Sequence, residues 1–126
     1  MNDYVLKCLT KAVKDYTEAE HTLRSNPLSW SSRGPDYTTP EGQKYREENK
    51  AYRAALAELW MITDVEYDDK DPVAAACWEW RYWSVMARKC CWSQLTTGKT
   101  DWAAETMQKL DEAGRHLLEV LGLPQD

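Results

Sequence analysis

Apolar residues in this chain recur at steps of three and four and never alternate over a strand's length, a pattern that builds helices and leaves no sheet to assign. Four such stretches stand between residues that start and stop helices. The first spans about residues 2–24, where Val5, Leu9, Ala12, Tyr16, Ala19 and Leu23 share one face. The segment SNPLSWSSRGPDYTTP, residues 25–40, holds three prolines and a glycine among its serines and reads as a long loop without regular structure. Thr39, Pro40 and Glu41 then start a second helix, about 40–65. The hydroxyl caps, the proline has no N–H to lose at the first helical position, and the carboxylate meets the positive helix end. Its apolar face is Tyr45, Tyr52, Leu56, Leu59 and Thr63, widened by Trp60 and Ile62. Asp71 before Pro72 repeats the start signal for a third helix, about 72–97, which Gly98 ends. Thr100 caps a fourth, about 101–121, whose seam of Ala103, Met107, Leu110, Gly114, Leu117 and Leu121 is the most regular in the chain. Gly122 and Pro124 stop it.

Short connections between the second, third and fourth helices make neighbours antiparallel. The expected fold is therefore all-α: a four-helix antiparallel bundle in a single domain over residues 1–126, with one long loop between helices 1 and 2. At 126 residues and 14.6 kDa the chain is long enough to bury a core without staples. A composition of 43% hydrophobic and 29% charged residues excludes a disordered chain, and no apolar run approaches the ~18 residues of a membrane span. The opening MNDYVLKCLTKAVKDY lacks the apolar stretch of a secretory signal, which points to a cytoplasmic protein with no membrane partner. Cys8, Cys77, Cys90 and Cys91 have no CxxC spacing, so neither a disulfide scaffold nor a zinc ribbon is expected, and no cofactor or metal is implied.

The net charge of −5 is unevenly spread. In DVEYDDKD, Asp64, Glu66, Asp68, Asp69 and Asp71 oppose Lys70 alone. The 64/66/68 spacing matches the opening of a calcium loop, but Asp69 and Ala75 stand where such a loop needs glycine and glutamate. The segment is read as an acidic turn capping the third helix. It also offers an anionic patch for a basic partner surface, one that itself binds nucleic acid being the natural target.

All the aromatic residues are Trp or Tyr, with Phe absent, and such rings favour places where one side is packed and the other wet. The third helix concentrates them on two faces. One stripe, Val73, Ala76, Trp80, Trp83, Ala87 and Cys90, is an ordinary core face. Roughly opposite lie Trp78, Arg81, Tyr82, Val85, Lys89 and Trp92, with Arg88 on the flank. Rings on both sides imply that something covers the second face: the loop residues Trp30 and Tyr37 folding back, another subunit, or an external partner. With a pI of about 5.1 the chain has no broad basic footprint, which excludes duplex nucleic acid as a partner.

Catalytic signatures are missing. His21 and His116 sit among charged neighbours, and no GxSxG, HExxH, phosphate-loop or Glu-x-x-His pattern occurs. A His116 pair with Cys90 or Cys91 would place at most one thiol toward the ring, because adjacent helical residues point about 100° apart. The residues thus describe a non-enzymatic protein-binding module. Its character is that expected of a phage or mobile-element accessory protein that occupies a host nucleic-acid-handling complex, such as a CRISPR effector, in the manner of an anti-CRISPR inhibitor. Its contacts would come from Asp64, Glu66, Asp68 and Asp69 of the turn, from Trp78, Arg81, Tyr82, Lys89 and Trp92 of the third helix, and from Trp30 and Tyr37. The partner is another protein with a basic surface, or a second copy in a homo-oligomer. Two further readings are an oligomeric binder that sequesters a nucleotide-like molecule between subunits, and a structural or assembly protein.

Overall fold

A computed structural model describes residues 1–31, 34–97 and 101–125 of the chain, without the side chains of residues 90–97, 101 and 102. Gly98 and Thr100, and the side chains of Cys90, Cys91 and Trp92, lie outside the described residues.

Among the described residues every regular element is helical: α1 (Asp3–Ser25), a 3-10 turn (Pro27–Trp30), α2 (Pro40–Ile62), α3 (Pro72–Thr97) and α4 (Asp101–Val120). The all-α expectation with four helices is met. Local chemistry places their ends. Asn2 Oδ1 accepts from the Val5 N–H at 2.8 Å, Thr39 Oγ1 from Gly42 at 3.0 Å, and Asp71 Oδ1 from Val73 and Ala74 at 3.1 and 3.3 Å, each satisfying a donor that the first helical turn leaves open. Gly122 at φ +71° ends α4, with Leu123 N–H donating to Leu118 at 2.9 Å and Gly122 N–H to Glu119 at 3.0 Å.

Two local expectations are corrected. The loop expected to lack regular structure contains the 3-10 turn, because Asn26 Oδ1 accepts from Leu28 N–H at 3.0 Å and Pro27 pre-sets the first backbone angle. The second helix stops at Ile62, short of Val65, whose N–H instead donates to the Thr63 carbonyl at 2.8 Å in a three-residue turn.

The chain divides into two compact units, residues 2–62 and residues 63–126 with Met1. In the first, α1 and α2 pack antiparallel: Tyr16 meets Tyr52 with ring centroids 5.7 Å apart, and just past the end of α1 Asn26 Nδ2 donates to Glu48 at 2.9 Å, so rising numbers meet falling ones. Leu9, Ala12, Val13, Ala55 and Leu59 are buried here, while Tyr45, Tyr52, Leu56, Trp60 and Ile62 of the expected face are only partly so. Gly42 is buried as well, because the Asp36 carbonyl crosses directly over it and an added Cβ would collide with that backbone oxygen. Gly42→Ala is expected to destabilise the chain by about 1–3 kcal/mol, the usual range for overpacking, as read by urea denaturation. A change within about 0.5 kcal/mol would show that the segment before α2 gives way freely.

In the second unit α3 and α4 pack against each other, and with only residues 98–100 between them they run antiparallel. Among the described side chains of α3, Ala74, Ala76, Cys77, Trp80 and Ala87 are buried, while Val73 and Trp83 of the expected stripe are half-buried. Burial pushes the Cys77 thiol up to about 11, which leaves it protonated and unreactive at neutral pH. On α4 the expected seam is corrected: Thr106, Ala113 and Leu117 are buried, Leu110 and Gly114 are partly exposed, and Met107 is 41% exposed. The stripes 106–110–113–117 and 107–110–114–117 share two leucines and differ by one residue elsewhere. Hydropathy favours the one containing Met107, whereas the packed helices bury Thr106, which is smaller than Met107, together with Ala113.

Candidate functional site

Between the buried Thr63 and the cap Asp71 the chain makes the acidic turn. Asp68 Oδ1 accepts from the Lys70 N–H at 2.9 Å and the Asp68 carbonyl from the Asp71 N–H at 3.2 Å, a side-chain-supported turn of the kind aspartate favours. That turn carries Tyr67 onto α3. Its ring meets Trp78 edge-on, with centroids 5.4 Å apart and planes at 62°. Trp78 and Tyr82, one helical turn apart, stack at 5.4 Å and 13°, and Tyr82 meets the edge of Trp83 at 5.1 Å and 87°.

These rings form a continuous strip that stays in solvent. Tyr67, Trp78 and Tyr82 are 55%, 46% and 44% exposed, and Val85 beyond them is exposed too. Arg81 lies within the strip's helix face, with its guanidinium 3.5 Å from Thr63 Oγ1 and 3.9 Å from Asp64. Glu66 and Asp69 make no hydrogen bond or ion pair among the described residues. The strip therefore pairs half-exposed aromatic surface with uncommitted negative charge, and no side chain in it is placed as a nucleophile beside a base.

Most of the sequence-predicted residues converge here. Asp64, Glu66, Asp68 and Asp69 lie on the turn, and Trp78, Arg81 and Tyr82 on the adjoining helix. Lys89 is exposed two turns further along α3. The Trp92 side chain is outside the described residues. Trp30 and Tyr37 belong to the other unit, where the Trp30 indole N–H donates to the Arg24 carbonyl at 2.8 Å and Tyr37 carries the Arg46 guanidinium 5.8 Å from its ring centroid. Tyr67 was not anticipated, although a tyrosine inside an acidic run is the signal that would have found it, since a solvated turn gives a ring nothing to pack on.

His21 and His116 are exposed, with His116 Nδ1 3.8 Å from Glu119 on its own helix. Among the described residues no three His, Cys, Asp or Glu side chains converge to hold a metal ion, and no helix is long and apolar enough to cross a membrane.

Asp71 ties the turn to α3. A hydrogen bond from the Met1 α-amino group at 2.9 Å, then the backbone N–H of Ala74, hold its carboxyl below the usual carboxylate range. With the folded pKa below the unfolded value of about 3.9, its contribution is complete above that value and is lost as the pH falls through the folded pKa. Asp71→Ala is expected to cost about 1 kcal/mol at neutral pH as a lost cap, and the gap between the two thermal midpoints should close below about pH 4. A gap that persists unchanged in acid would assign the loss to packing.

Comparison with protein-family models, with curated proteins and with solved structures finds no match.

Proposed function

We propose that this chain is a non-enzymatic protein-binding module that docks through the Tyr67–Trp78–Tyr82 strip and the acidic turn onto a basic face of a partner protein. The observation that carries this reading is the stack of two half-exposed rings on a helix whose other face is core. Large aromatic side chains lose the benefit of burial when left in water, and contiguous exposed rings characterise recognition surfaces. Charge selects the partner. A symmetric contact between two copies would bring two acidic turns together, which like-charge repulsion opposes, and nucleic acid carries the same sign. A protein face rich in Arg and Lys complements both features, and complexes that handle nucleic acid carry such faces. That supports the finer reading of a phage or mobile-element inhibitor occupying a host complex such as a CRISPR effector. The nucleotide-binding alternative needs the Arg81 guanidinium for an anion, and its nearness to Asp64 weighs against it.

The test uses Glu66→Lys with Asp69→Lys, because neither carboxylate supports the turn. Immobilised wild-type chain should retain a stoichiometric partner from native host cells. The double variant, with an unchanged thermal midpoint, should retain it poorly, with association slowed about tenfold at low salt and the difference shrinking at high salt. Equal retention by both would remove the acidic turn from the interface, and a wild-type dimer that the Trp78→Ala variant fails to form would reassign the strip to self-association.

A further inference from the structure

We infer that the strip recognises arginine side chains in particular, with a guanidinium of the partner lying against Trp78 and Tyr82 while Glu66 or Asp69 receives its N–H groups. This inference rests on the docking role proposed above and names the group that is read.

Two independent features converge on it. The strip is half-exposed aromatic surface, and the π-face of a Trp or Tyr attracts cations. The carboxylates of the same turn, Glu66 next to Tyr67 in the chain and Asp69 two residues beyond, make no hydrogen bond or ion pair among the described residues. Both features attract positive charge, and they differ in which cation they prefer. An ammonium is compact and strongly hydrated, and gains little from a flat ring that leaves half its shell in water. A guanidinium is planar and weakly hydrated, stacks on a ring, and keeps N–H groups in its plane for a carboxylate at the ring's edge. Tyr82 stacks on Trp78 and Tyr67 meets Trp78 edge-on, so the rings pack on one another and do not enclose a cage; extending a half-exposed stack suits a flat group. The strip's own Arg81, 3.9 Å from Asp64, leaves the added guanidinium to come from the partner.

The test compares an oligoarginine peptide with an oligolysine peptide of equal length and charge, titrated into the full chain by calorimetry at one ionic strength. The arginine peptide is expected to bind about tenfold tighter, and Trp78→Leu or Tyr82→Leu should remove that preference while leaving the weaker, charge-driven binding of both peptides. Glu66→Gln with Asp69→Asn, which keeps the rings, should weaken both peptides. Equal affinity for the two peptides, lost in the carboxylate variant, would overturn arginine recognition and leave the basic-partner reading standing. Absence of binding by either peptide would overturn both. A preference that survives both ring substitutions would place arginine recognition elsewhere on the chain.

Discussion

Trp80→Ala is expected to cost the fold about 3–5 kcal/mol, whereas Trp78→Ala, two residues away on the same helix, should cost the isolated chain clearly less and weaken its partner complex by ~2 kcal/mol or more. The two side chains have the same chemistry and opposite surroundings. Trp80 is 5% exposed among the residues that α3 buries, so truncation leaves a cavity. Trp78 is 46% exposed and meets Tyr67 and Tyr82, so its removal in the free protein costs two ring contacts and about half the burial that Trp80 loses. In a complex the same ring would be fully desolvated, and its loss is then felt in full. Chemical denaturation of both variants, beside binding measurements on Trp78→Ala, checks the pair. A Trp78→Ala protein as unstable as Trp80→Ala would make the strip part of the core and withdraw its role in recognition.

A second contrast lies on α4. Leu117→Ala should destabilise the chain by about 2–5 kcal/mol, while Met107→Ala should cost less than about 1 kcal/mol. Leu117 is 2% exposed and Met107 41%, although both stand in the one apolar series that the sequence displays most clearly. Leu110, partly exposed, should fall between them. Thermal denaturation of the three variants measures the order directly. A Met107→Ala loss equal to that of Leu117→Ala would return the buried stripe to the series read from periodicity.

The helices themselves were legible in the residues. Thr39-Pro40, Asp71-Pro72 and Gly122 act through hydrogen bonds and backbone sterics that span a few positions, and each does in the structure what its type predicts. The separation of Trp78 from Trp80 onto different faces of one helix was equally legible, since about 100° per residue decides it. The acidity of residues 64–71 needed no fold at all.

Longer-range choices were not. Periodicity admits two stripes on α4 that share Leu110 and Leu117, and only the close approach of α3 selects the one with Thr106 and Ala113. The strip depends on the same kind of decision. Nothing local says that the turn after Ile62 returns Tyr67 to Trp78, that Arg81 lies beside Asp64 and Thr63, or that the second aromatic face of α3 stays half in solvent. Secondary structure follows from interactions between near neighbours, which the order of residues states outright. Burial and exposure follow from which surfaces meet across dozens of residues, and that is settled only when the volumes of all the packed side chains compete for the same space.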